Sequence, residues 1–143
     1  MSEFSISHRD FNDGEEIPKK FGYKHGNEIP DHIHWSGVEY DVDCIALIMD
    51  DPDAMGAVGK VWVHWLEYHD VNDITTTISG RTDFDEIGYG GPAPPDKRHT
   101  YVFKAYALDT MLHLKEGFSK QELEDAMQDH IITETKLTGT FAP

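Results

Sequence analysis

The chain has 143 residues, 38% hydrophobic and 11% aromatic, which suffices for one core and falls short of two, so a single domain spanning residues 1–143 is expected. Twenty-seven acids against twelve bases leave a formal net charge of −15 without a long acidic block. That is a solvated surface which repels nucleic acid, and no basic cluster or arginine–aromatic stripe in the sequence offsets the repulsion, so nucleic-acid binding is excluded.

No run of about 18 apolar residues is available to span a membrane. Met1 to Phe11 carries Glu3, Arg9 and Asp10 where a signal peptide needs an apolar run, so a soluble, cytoplasmic protein is expected. Apolar runs of strand length, punctuated by Gly, Pro and Asp, predict a mainly β protein. The first strands are 4–8 and 32–35. The second holds His32 and His34, which alternation puts on one face as zinc often requires. Nothing in the sequence joins that pair to His64 or His99, so no metal and no cofactor is expected.

Strand 43–50 is apolar at nearly every position, as a central strand covered on both faces would be. It contains Cys44, the single cysteine, which reads as a small core residue in a reducing compartment. Asp50-Asp51-Pro52-Asp53-Ala54 follows directly. Proline ends the ladder there and leaves the carboxylates at the rim of the sheet, either as site residues or as an ordinary acidic turn.

Strand 61–69 places His64 in an apolar stretch, where its nitrogens require a carboxylate, a ligand, or the partners of a satisfied core histidine. Strand 74–78 comes next. Residues 79–98 are the longest stretch without regular structure, and the prolines of Gly90-Gly91-Pro92-Ala93-Pro94-Pro95 limit its freedom, so it reads as an ordered binding loop. Gly91 offers a backbone N–H to an anion.

Strand 100–108 puts Tyr101, Phe103, Ala105 and Ala107 on one face, and His99 shares the face of Tyr101. A helix is expected over 119–131, with Ser119 and Glu122 at capping-box spacing and an apolar stripe of Leu123, Ala126, Met127, His130 and Ile131. Strand 136–141 closes the chain.

The pieces supply donors for a small anion (His64, His99, Tyr101 and the Gly91 N–H) and carboxylates to orient the histidines. No Ser, Thr or Cys among them has an evident base beside it, so no catalytic residue is assigned. A hydrolase would need water activated by an Asp–His pair.

The order Asp-Pro-Asp-Ala, a strand with His-Trp, Gly-Tyr-Gly-Gly-Pro-x-Pro-Pro, then His-x-Tyr-Val-Phe resembles the phosphatidylethanolamine-binding protein family, in its prokaryotic branch of Raf kinase inhibitor-like proteins. The likeness runs from Gly14 and Ile17-Pro18 through Trp35-Ser36-Gly37-Val38 to Leu137-Thr138-Gly139-Thr140-Phe141. It implies a β-sandwich with a small number of peripheral helices, one of them near the C-terminus. It also implies a pocket for phosphate-type anions or a phosphoethanolamine headgroup at Asp51, Asp53, His64, Gly91, Pro92, His99 and Tyr101.

Family members show a cis peptide near the Asp-Pro-Asp bend. Here Met55 stands where a proline is usual, and a non-proline cis bond costs about 3 kcal/mol. The expected function is non-catalytic binding of a small anion, with modulation of a protein partner. One alternative is a kinase or protease inhibitor working through the rim, residues 55–60 and 79–98; the other is the hydrolase. A monomer or a homodimer is expected.

Overall fold

The computed structural model describes residues 3–31 and 33–143, the side chain of Ile74 excepted. His32 and the metal reading that includes it lie outside the described residues, and His34 is exposed on its strand.

The described residues form the strands β1 (Ser5–His8), β2 (Ile33–Ser36), β3 (Cys44–Asp51), β4 (Trp62–Asp70), β5 (Asp73–Ser79), β6 (His99–Leu108) and β7 (Ile131–Phe141). Among the described residues the helices α1 (Ala54–Val58) and α2 (Lys120–Met127) accompany them, with a 3₁₀ turn at Lys19–Phe21. The large sheet runs β5-β4-β3-β6-β7, antiparallel throughout, and β1 pairs with β2 in a second, two-stranded sheet.

Strand β3 lies at the middle of the large sheet and is buried at every position. Alternation divides it between two cores. Ile45, Leu47 and Met49 join Phe4, Ile6, Phe11, Ile17 and Phe21 of the N-terminal layer. Cys44, Ala46 and Ile48 join Leu112, Phe118, Leu123 and Met127 on the α2 side. The near-continuous apolar run of this strand is thus the signature of a sheet covered on both faces.

Three features depart from the sequence expectations. The helix expected over 119–131 starts as read, with the Ser119–Glu122 capping box formed, but it ends at Met127. Asp129 takes a left-handed φ of 69°, and β7 begins at Ile131, five residues earlier than expected. Two β-branched residues, Ile131 and Ile132, favour the strand at that point. His130 therefore leaves the apolar stripe and pairs through Nδ1 with Asp109 Oδ1 at 2.9 Å, and Ile131 is exposed.

The second departure is α1, where the sequence predicts a bend. Among the described residues no peptide bond is cis, and the chain turns after Asp53 into this short helix, closed by Gly59 at φ 80°. The third is a bulge in β4. Across the β3–β4 ladder Met49 faces Trp65 and Asp50 faces Val63, leaving His64 without a partner between them. Among the described residues no helix is long and apolar enough to cross a membrane.

Candidate ligand-binding site

The bulge decides where His64 points. An extra residue in one strand reverses the alternation beyond it. Val63 packs on the α2 side, whereas His64 and the next residue, Trp65, both face the other core, His64 against Tyr101 with ring centroids 5.1 Å apart. Freed from the ladder, the His64 carbonyl accepts the Gly90 N–H at 2.8 Å, and His64 Nδ1–H donates to the Gly90 carbonyl at 2.6 Å. A carbonyl can only accept, so the proton sits on Nδ1 and Nε2 of the neutral ring is an acceptor. Burial holds the His64 pKa below its ordinary value against the pull of the Gly90 carbonyl and of Asp51.

His99 is equally buried and has the opposite character. Its Nδ1 lies 2.6 Å from Asp51 Oδ2 and its Nε2 lies 2.7 Å from Asp96 Oδ1. Burial disfavours the charged ring, but hydrogen bonds to the two carboxyl groups, and their charges, outweigh it and raise the pKa. Both nitrogens are therefore spent on carboxylates.

These groups line a cavity of about 120 Å³ with Asp51, Trp62, Tyr101, Phe84, Ala93 and Pro95, and with Ala54, Ala57 and Val58 of α1. The wall is mostly apolar with a few polar atoms, the usual composition of a small-molecule site, though much smaller than the several hundred Å³ of a drug-sized pocket. Among the described residues, Asp51 Oδ1, Trp62 Nε1 and Tyr101 OH are buried without a hydrogen-bond partner of good geometry, although Asp51 and the Ala93 backbone lie close enough to act on the phenol through weaker hydrogen bonds. Burial, then the charge of Asp51, raises the Tyr101 pKa far above the ordinary phenol value, so the hydroxyl keeps its proton.

Of the seven residues singled out from the sequence, four meet at this cavity: Asp51, His64, His99 and Tyr101. The other three stand behind it. Asp53 is exposed and accepts the Thr100 N–H at 2.8 Å, which ties the start of β6 to the turn before α1. The Gly91 N–H, offered to a ligand in the sequence reading, donates instead to Asn27 Oδ1 at 2.7 Å. Pro92 is buried and its carbonyl accepts the Tyr23 N–H at 2.9 Å. With Asn27 Nδ2 donating to the Tyr89 carbonyl at 3.0 Å, segment 21–27 clamps the glycine-proline loop from outside.

The sequence reading missed Trp62, Phe84 and Asp96. Trp62 had a signal, since it lies two residues before His64 and shares its face by alternation. Phe84 and Asp96 belong to irregular loop backbone and had none.

The model of the phosphatidylethanolamine-binding protein family matches residues 7–142. The chain belongs to this family. Among its relatives in that family, a UPF0098 protein of Methanothermobacter thermautotrophicus is 37% identical over 145 residues, covering 92% of this chain and 93% of the relative. A UPF0098 protein of Chlamydia trachomatis is 36% identical over 141 residues with the same two coverages.

A crystal structure of a phosphatidylethanolamine-binding protein homologue from Chlamydia trachomatis superposes with a TM-score of 0.85 at 33% identity, covering 96% of each chain. The Escherichia coli protein YbcL, described as a member of the mammalian family, shares the fold with a TM-score of 0.79 at 24% identity over 98% of each chain. The expected architecture, a β-sandwich with few helices and one near the C-terminus, is the one the family has.

Proposed function

We propose that this chain is a non-catalytic binding protein whose cavity takes a small anion of the phosphate type. Asp51, His64, His99, Tyr101 and Trp62 form the polar wall, while Asp53, Gly91 and Pro92 hold its shape from behind. One observation carries this reading: among the described residues the buried Trp62 Nε1 has no hydrogen-bond partner, and on the same cavity wall the buried Tyr101 hydroxyl makes no hydrogen bond of good geometry. A buried polar group without a partner costs about 1–3 kcal/mol, and two such donors converging on one small space are satisfied together by an anion's oxygens.

The electrostatics supports the same reading. A charged His99 between Asp51 and Asp96 offsets carboxylate charge that would otherwise oppose an anion. His99 is given no role as a base in this reading, since both of its ring nitrogens are engaged by carboxylates. The cytoplasmic location belongs to this reading too, supported by a buried free thiol at Cys44 that burial raises to a pKa of about 11.

Titration calorimetry with inorganic phosphate and with phosphoethanolamine tests it. Saturable binding is expected, weakened about tenfold by Tyr101→Phe, which removes one donor and keeps the ring, and by Trp62→Phe, which removes the other and leaves a smaller aromatic ring. If neither compound binds at about 10 mM, the proposal fails.

A further inference from the structure

The small sheet leaves part of the large one open. Alternation along β4 turns Trp65, Glu67 and His69 to one face, and β2 turns Ile33 and Trp35 toward them, the latter two only partly buried against the N-terminal core. Between the two strands, bounded also by residues 29–31, lies a cleft of about 260 Å³ that shares no lining residue with the anion cavity.

A carboxylate sits in this wall of indole and aliphatic carbon. The Glu67 side chain is 13% exposed, and its Oε1 lies 3.0 Å from His69 Nε2. The other nitrogen of that ring, Nδ1, lies 3.0 Å from the Thr77 hydroxyl. With Nε2–H donating to Glu67 and Nδ1 accepting from Thr77, a neutral ring meets both partners, so the carboxylate keeps its charge. No Lys or Arg is among the described residues that line the cleft. A largely buried carboxylate with no counter-charge beside it is costly, and a bound cation offsets that cost. The indoles suit the same cation. Trp65, 4% exposed, is braced by the Tyr89 ring at 5.2 Å, and Trp35 meets His69 edge to face at 5.7 Å, so both are held in place before anything binds.

We infer that this cleft binds a quaternary ammonium group, with Glu67 as its counter-charge and Trp35 and Trp65 as its aromatic wall. Aromatic rings attract cations through their quadrupole, tryptophan most strongly and more so out of water. A primary ammonium is strongly hydrated and brings three N–H donors that this wall cannot satisfy. A quaternary ammonium has no donor to place and buries its methyl groups against carbon. The net charge of −15 draws any cation toward the molecule, but it does not distinguish one ammonium from another.

Calorimetry on the full chain at about pH 8 with choline, ethanolamine and dimethylbutanol tests this. Dimethylbutanol is the uncharged isostere of choline, with carbon in place of nitrogen, and ethanolamine has choline's charge without its methyl groups. Choline is expected to bind saturably in the millimolar range, and the other two at least about tenfold more weakly. Glu67→Gln removes the charge while its carbonyl still accepts from His69, and it is expected to weaken choline binding about tenfold with an unchanged circular dichroism spectrum. Trp35→Leu, at a partly buried position of the small sheet, is expected to do the same.

Dimethylbutanol closer to choline than about tenfold means that the cleft is merely apolar, and ethanolamine as close means that overall charge does the binding; either result overturns the inference. Unchanged choline affinity in a folded Glu67→Gln protein also overturns it, and should that variant not fold, the same result in Trp35→Leu does so. No choline binding at about 50 mM overturns it outright. Phosphate titrated into the same samples reports on the anion cavity separately, so either reading can fail without the other.

Discussion

Burial acts on His64 and His99 with the same sign, and their partners separate them. His64 has backbone carbonyls as its partners and no carboxyl group bonded to its ring, so desolvation wins and its pKa falls. His99 has a carboxyl group on each nitrogen, and these outweigh desolvation. The consequences for stability run in opposite directions. His99, raised above the usual 6.5, contributes stability that is fully present below 6.5 and is lost as the pH rises through its folded pKa. His64, lowered from 6.5, contributes stability that is present above 6.5 and is lost as the pH falls through its folded pKa. Urea unfolding from about pH 5 to about pH 9 is expected to show a decline on the alkaline side that disappears in His99→Gln, while the acid-side decline due to His64 remains. Identical alkaline slopes in the two proteins would mean that His99 is not held in its charged form.

At the scale of elements, the site depends on two irregularities: the bulge that re-aims His64 and the loop whose glycines admit another segment at close range. A Cβ built on Gly91 overlaps the Phe21 carbonyl oxygen and crowds the Tyr23 N–H, both of them backbone, so nothing flexible can yield. Gly91→Ala is expected to cost about 1–3 kcal/mol in urea unfolding. Gly56 within α1 is the control. A Cβ there meets nothing within 4 Å, so Gly56→Ala is expected to stabilise by about 0.5–1 kcal/mol through helix propensity and a less flexible unfolded chain. The contrast assigns Gly91 a packing role, consistent with its N–H being bound to Asn27. On the opposite face of the sheet, buried Asp50 Oδ2 takes Lys104 and Lys120 at 3.0 Å each, which fastens the start of α2 to β3 and β6.

For the whole molecule, 27 acids and 12 bases leave a formal net charge of −15, and the mutual repulsion of the acidic excess opposes compaction. Ion pairs such as Arg98–Glu16 at 3.2 Å and Lys20–Glu28 at 3.6 Å join largely exposed side chains, where such a pair is worth about 1 kcal/mol or less. Salt screens both effects, and the unpaired excess is the larger. The thermal midpoint is therefore expected to rise by a few degrees between about 0.02 M and about 0.5 M sodium chloride, read by circular dichroism. A fall would show that the pairs dominate.

Those properties that depend on which residues are neighbours in the chain were legible without coordinates. The continuous apolar run of β3 announced a strand covered on both faces, the spacing of Ser119 and Glu122 announced the start of α2, and alternation put His99 and Tyr101 on one face. Asp51, His64, His99 and Tyr101 were recognisable as polar groups at the ends or in the midst of buried strands, which is a one-dimensional signal. Tertiary structure alone decided what each of them holds. Whether a nitrogen of His99 is free depends on Asp96 in a loop without periodicity, and whether the Gly91 N–H is free depends on Asn27, far away in sequence. The aim of His64 depends on a bulge defined only by the register of two strands, a property of the pair that neither strand carries by itself.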